Sequence, residues 1–252
     1  MIHIKSNEEI EKIRESCRVV VECLRLASEM VRPGLKLKEL ELSIENLIRS
    51  RGGKPAFKGY RGFPASACLS VDDVVVHGIP KKDDVLLDGQ IIGVDVGVVK
   101  DAFYGDSAIT LPVGDISPEK ARLLKVTKQS LYEGIHQVKS GQRLHDVSAA
   151  VQKHVEGNGF SIVRDLVGHG IGRELHEEPQ VPNFGKAGTG PRMKAGMVFC
   201  IEPMVNAGTF EVYTKEDRWT ICTRDGRPSA HFEHTVAVTD NGPEILTQSD
   251  LF

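Results

Sequence analysis

Two helix-loop-helix stretches of this chain superpose at one constant offset, and that repeat limits the possible folds more than any other feature. VRPGLKLKEL at 31–40 lies over VKSGQRLHDV at 138–147. The same shift of 107 residues matches Val31 with Val138, Gly34 with Gly141, Leu37 with Leu144, Ile44 with Val151, Ile48 with Val155 and Gly52 with Gly159. Apolar residues recur at helical spacing through Ile10, Ile13, Cys17, Val20, Leu24 and Val31, and again through Leu37, Leu40, Ile44, Leu47 and Ile48. Leu124, Leu131, Ile135 and Val138 make a third such face, and Val147, Val151 and Val155 a fourth. Strand-like runs follow each helix pair: ACLSVDDVVVHGI and VDVGVVKDAFYGDSA after the first, FSIVRDLVGHGIG, GMVFCIEPMV, RWTICT and HFEHTVAVT after the second. The pattern predicts two similar α/β halves with no linker between them. They form one pseudo-symmetric domain over residues 1–252, with function expected where the halves meet.

At 252 residues the chain can bury one large core, and its 40% hydrophobic and 27% charged content is that of a soluble globular domain. A net charge of −3 leaves no basic footprint for reading nucleic acid. Five cysteines without CxxC spacing, behind a charged amphipathic start rather than a secretory leader, predict a reducing, cytoplasmic setting. No apolar run approaches the ~18 residues of a membrane span.

The hairpin within VDVGVVKDAFYGDSA poses an electrostatic problem. With Lys100 and Asp101 as its turn, Val99 pairs with Ala102 and Asp95 falls directly opposite Asp106. Like charges in opposed positions, roughly 5 Å apart, repel. A shared proton or a divalent cation between them would offset the repulsion.

Three further polar residues stand where apolar ones belong. His169 is flanked by glycines in VGHGIG, which permits close backbone approach to a ligand, while Glu202 in VFCIEPMV and Glu233 in AHFEHTVAV interrupt strand-like runs. Together with Asp95 and Asp106 they form an oxygen-rich set of four carboxylates and one imidazole. It suits Mn²⁺, Fe²⁺ or Co²⁺ better than a thiolate zinc site, and its charge argues for two bridged ions. HEEP at 176–179 lacks the second histidine of HExxH, and neither GxSxG nor a P-loop occurs.

VVHGIP at 75–80, DVGVVKDAFYGDSA at 95–108, GHGIGRELHEEPQVPN at 168–183, CIEPMVNAG at 200–208 and HFEHTVAVTDNG at 231–242 closely resemble the motifs of type I methionine aminopeptidases, in the same order. The resemblance runs from the first helix to EILT at 244–247. It implies the duplicated pita-bread α/β fold, with a central, mostly antiparallel sheet and two helix pairs outside. The implied activity is removal of the initiator methionine from nascent polypeptides whose second residue is small, by a dinuclear metal site and a bridging hydroxide. Carried over residue by residue, Asp95, Asp106, His169, Glu202 and Glu233 are the implied ligands of two divalent ions (Co²⁺, Mn²⁺ or Fe²⁺), with Asp106 and Glu233 bridging. His77 then lies near the scissile amide, His176 contacts the substrate carbonyl, and Glu202 also moves the water's proton. The implied methionine pocket comprises Phe57, Tyr60, Phe63, Cys68, His77 and Trp219.

Phe57 and Leu175 depart from the Cys and Phe of well-known members, and Leu166 and Phe184 are unexpected neighbours of GHG and HEEPQVPN. These departures bear on pocket width. The implied partners are nascent N-termini at the ribosome, with no nucleic-acid or membrane contact, and the implied state is a cytoplasmic monomer without the extensions of eukaryotic type I or type II members. A proline-specific peptidase on the same fold and a metal-free binding module are the alternatives. Cys17, Cys23, Cys200 and Cys222 carry no assigned role.

Overall fold

The computed structural model describes residues 1–252 and contains both helix pairs: α1 (Asn7–Met30) with α2 (Leu37–Ser50), and α3 (Pro118–Ile135) with α4 (His145–Gly157). Ser6 starts α1 with a capping box closed by Glu9, and Ser117 caps α3 ahead of Pro118 at its first position. Ile10, Ile13, Cys17, Val20 and Leu24 of α1 and Leu37, Leu40, Ile44 and Ile48 of α2 form buried faces, Val31 and Leu47 are only half-buried, and α3 buries Leu123 more deeply than Leu124. Gly34 and Gly141, matched by the repeat, take left-handed φ of 86° and 89°, and Gly52 and Gly159 both take 75°. The duplication is therefore a repeat of backbone conformation as well as of sequence.

The helices cover one face of a nine-stranded sheet whose pairings are all antiparallel. Its path runs Lys54–Pro55, Ile91–Lys100, Phe103–Pro112, Glu233–Thr239, Val198–Ile201, Val167–Gly170, Glu177–Pro182, with Cys68–Val71 and Gly242–Ile245 paired alongside. Two three-stranded sheets flank it, one of Ser229–His231, Met204–Asn206 and Ser161–Ile162, the other of Val212–Thr214, Ile221–Thr223 and Val74–Val76.

Alternation along Ile91–Lys100 separates core from site. Ile92, Val94, Val96 and Val98 join the helices in the largest apolar cluster, leaving Gly93, Asp95 and Gly97 to the other face. Gly105 lets α1 approach closely: a Cβ there would lie 2.7 Å from the Cys17 backbone nitrogen.

The hairpin register differs from the sequence expectation. The turn is Asp101-Ala102, with φ of 49° and 63°, so Lys100 pairs with Phe103, Asp95 with Ala108 and Gly97 with Asp106. Both central residues carry the positive φ of a type I′ turn, which matches the twist of the strands and moves the loop one residue along. Pairing shifts by two, so Asp95 and Asp106 keep a common face but sit diagonally.

Candidate metal and substrate site

Three adjacent strands bring the acids together. Ala108 pairs with Asp95 on one side and Glu233 on the other, and Asp106 lies two residues along the same strand, so all four side chains share a face with only a methyl at its centre. One carboxylate oxygen from each of Asp95, Asp106 and Glu233 lies within 4.8 Å of the other two.

Glu202 is not embedded in a strand as its sequence context suggested. It occupies the break between Val198–Ile201 and Met204–Asn206, where Pro203 has no N–H to donate, and Phe232 makes the corresponding break before Glu233. Pairing on both sides of the breaks, His234 with Ile201 and Met204 with His231, keeps Glu202 in register with Glu233.

His169 Nε2 stands 3.6 Å from Glu202 Oε1, and its Nδ1 lies 3.0 Å from the Gly170 carbonyl. Nδ1–H is therefore the donor, and the Nε2 lone pair faces the acids. The flanking glycines serve a different end from the anticipated ligand approach. A Cβ on Gly168 would meet the Cys200 carbonyl at 2.3 Å, and one on Gly170 the Glu178 carbonyl at 2.2 Å, so they admit neighbouring backbone and seat His169 from both sides.

Burial, then mutual repulsion, pushes Asp95, Glu202 and Glu233 well above the carboxylate range, and burial raises Asp106 as well. Buried Asp95 Oδ1, Asp106 Oδ1 and Glu233 Oε1 have no hydrogen-bond partner, and no lysine or arginine pairs with them. Clustered, desolvated and unneutralised oxygens beside an imidazole lone pair fit divalent cations, whose binding would displace the protons. Asp106 is braced from behind, its N–H donating to Thr235 Oγ1 (3.3 Å) and its carbonyl accepting from that hydroxyl (2.7 Å).

The four acids and His169 open into a cavity of about 250 Å³, which Phe57, Tyr60, Phe63, Cys68, His77, His176 and Trp219 also line. Gly97 makes room for Phe57, whose Cε1 would lie 2.5 Å from a Cβ there. Trp219 meets Phe63 edge-on at 5.2 Å and His77 at 6.0 Å. His176 lies 4.2 Å from His169, ring centre to ring centre and tilted by 49°, and is held at Nδ1 by the Tyr60 hydroxyl at 2.9 Å. Burial drives His176 down to about 3 and His77 below its ordinary value, so both rings are neutral near pH 7. His77 has a left-handed φ of 57°, an uncommon strain for a non-glycine residue beside a site.

Leu166 and Leu175 line the cavity, whereas Phe184 faces Arg164 instead. Sequence reading missed Arg61, Val76, Val167 and Met204 in the lining, and also buried His231, whose Nε2 is 3.8 Å from Glu202 Oε2. The alternation of His231 with Glu233 in HFEH was the available signal for that histidine. Cys200, left without a role, sits with His169 and Glu233 in a second cluster of potential donors within 4.8 Å. All five cysteines are buried and unpaired.

A carboxylate and imidazole cluster on the inner face of an antiparallel sheet, beside an apolar cavity, defines a metal-dependent hydrolase. The model of metallopeptidase family M24 matches residues 11–240. A methionine aminopeptidase of Clostridium acetobutylicum is 48% identical over 98% of this chain and 99% of its own, and methionine aminopeptidase 1 of Bacillus subtilis 48% over 98% and 100%. The crystal structure of the Thermotoga maritima methionine aminopeptidase, 45% identical, superposes with a TM-score of 0.97 over 99% of this chain and 100% of that one. A Pyrococcus furiosus prolidase, 22% identical, shares the fold with a TM-score of 0.79 and covers 98% of this chain and 66% of its own. The chain belongs to metallopeptidase family M24, and within it to the methionine aminopeptidases of bacterial type. It is a pita-bread metallo-aminopeptidase, and no helix in it is long and apolar enough to cross a membrane.

Proposed function

We propose that this chain releases the initiator methionine from nascent polypeptides whose second residue is small. In this reading it acts as one catalytic unit, a monomer working beside the ribosome in the cytoplasm. Two divalent ions, Co²⁺, Mn²⁺ or Fe²⁺, would be held by Asp95, Asp106, His169, Glu202 and Glu233. The observation that carries the reading is the set of buried, unpartnered carboxylate oxygens opening into an aromatic cavity. When bound, such ions supply Lewis acidity to the scissile carbonyl and acidify a water at neutral pH.

The remaining chemistry belongs to the chain. The methionine side chain lies among Phe57, Tyr60, Phe63, Cys68 and Trp219, a lining of aromatic rings and sulfur that accommodates a flexible thioether. Neutral His176, accepting at Nδ1 from Tyr60, carries its proton on Nε2 and donates it as a hydrogen bond to the carbonyl oxygen as negative charge develops. His77 orients the scissile amide, its own carbonyl steadied by Thr220 Oγ1 at 3.4 Å. Glu202 takes the proton of the attacking water and returns it to the leaving amine.

Metal-stripped protein should release methionine from Met-Ala-Ser only after Mn²⁺, Fe²⁺ or Co²⁺ is restored, and should leave Met-Lys-Ser and Xaa-Pro peptides intact. Release without metal, or preference for Xaa-Pro bonds, would overturn the reading.

A further inference from the structure

Two acids outside the metal site are buried without a part in that chemistry. Glu41 and Glu45, one turn apart on α2, lie on its inward face beside Leu40, Ile44 and Ile48, with Glu41 fully buried and Glu45 8% exposed. Leucine there would avoid the cost of desolvating two carboxylates, so the acids must be held by specific partners.

Apart from Lys38 and Arg49 on α2 itself, those partners are in the loop that builds the cavity. Residues 56–67 leave the sheet after Pro55 and re-enter it at Cys68, carrying Phe57, Tyr60 and Phe63 between. Gly59, Arg61 and Gly62 all have left-handed φ (87°, 47° and 89°), and internal bonds such as Gly59 N–H to the Phe63 carbonyl (2.8 Å) tie only the tip. Glu45 closes the base. Its Oε2 accepts from Lys58 Nζ on the outgoing limb (2.7 Å) and from Ser66 Oγ on the returning limb (2.6 Å). Glu41 Oε1 accepts the Ser66 N–H at 3.0 Å, and Arg49 takes the other Glu45 oxygen. The Lys58 and Ser66 bonds hold the Glu45 carboxyl at about 2, so it stays ionised throughout the working range.

We propose that Glu45 is a positioning residue for substrate selection, which joins the two limbs of the 56–67 loop through one carboxylate oxygen and thereby fixes the spacing of Phe57, Tyr60 and Phe63 around the substrate side chain. The proposal rests on the methionine-release reading and adds to it a determinant outside the cavity.

Glu45→Met separates a selective role from a structural one. Lys58 and Arg49, half-exposed, can return to water, and only the buried Ser66 hydroxyl loses its acceptor, so the melting temperature should fall by several degrees while the protein stays folded. Its KM for Met-Ala-Ser should rise about tenfold with kcat within about twofold, and its preference for Met-Ala-Ser over Leu-Ala-Ser should fall about tenfold. Ser66→Ala and Lys58→Met, each freeing one limb, should shift both readouts the same way by less, and Ser66→Thr should retain parental values. Unchanged KM and Met:Leu preference in a folded Glu45→Met overturn the proposal. If Glu45→Met does not fold, Ser66→Ala and Lys58→Met decide by the same criterion. Amide exchange at Gly59 and Phe63 needs no turnover: faster exchange in the variants supports the closure and unchanged exchange overturns it. Failure of the parent to release methionine with any of the three metals would instead sink the underlying activity.

Discussion

The first half of the chain presents its two acids on an unbroken hairpin, and the second half presents its two on a broken one. Asp95 and Asp106 lie on ten-residue strands joined by a two-residue turn, offset diagonally by two residues. Glu202 and Glu233 face each other in register, but both strands are interrupted there and the chain passes into a second, smaller sheet. Asp95 and Glu202 keep the 107-residue offset of the helices, whereas Asp106 and Glu233 are separated by twenty residues more. The extra length is the excursion from Ala207 to Pro228, which carries Trp219 to the cavity. Duplication thus accounts for matched carboxylates, and the departures from symmetry give the site its direction.

The largest effect is expected from Asp106→Asn, which removes a side chain that the family resemblance implies as a ligand of both ions. Methionine release with Mn²⁺ should fall by ~10³-fold or more, and calorimetry should show weaker metal binding. Next, Asp95→Asn and Glu202→Gln compare symmetry-related acids at saturating metal. Glu202→Gln should cost about 10²-fold more in kcat, because only Glu202 has proton work, and equal losses would make it a ligand alone.

Metal-stripped protein should show its melting temperature falling from pH 6.5 to about 8. Buried His169, His176, His231 and His234, lowered to between about 3 and 4, bind fewer protons folded than unfolded, so they favour folding as pH rises toward 6.5 and then cease to contribute. The four site acids are raised on folding, Asp106 to about 7, so the folded state loses stability as pH climbs through their range. Added Mn²⁺ should abolish the fall, and a flat profile without metal would show that the acids are already neutralised. Trp219→Ala should raise KM about tenfold, or ~1.4 kcal/mol, with kcat nearly unchanged. Smallest of all, Gly34→Ala and Gly141→Ala should each cost ~1 kcal/mol in urea unfolding, because their φ values are alike and a Cβ at either meets nothing within 4 Å. Unequal costs would show that the two turns only look alike.

Much of this site was legible because charge within apolar strands has few structural uses. Asp95, Asp106, His169, Glu202 and Glu233 stood out for that reason, and the face they share survived a wrong turn position because pairing moved by two residues. The turn itself was hidden: Lys100 looks more polar than Ala102, yet backbone twist places Asp101 and Ala102 in left-handed conformations. The breaks at Glu202-Pro203 and Phe232 depend on a second sheet that pairs with distant Ser161–Ile162. Glu41 and Glu45 drew no notice in the sequence, because the 56–67 loop that holds them is brought there by tertiary structure.

The fork at the glutamates also bears on how such a chain can change. Because the pairing partners resume their register on either side of the breaks, the span from Ala207 to Pro228 is inserted between the strands that carry Glu202 and Glu233, and its Ile221–Thr223 strand pairs with Val74–Val76 beside His77. Splicing in a longer or shorter version would alter which side chains overhang the cavity while the ligands remain in place, so substrate preference can diverge among descendants that inherit the same hydrolytic core.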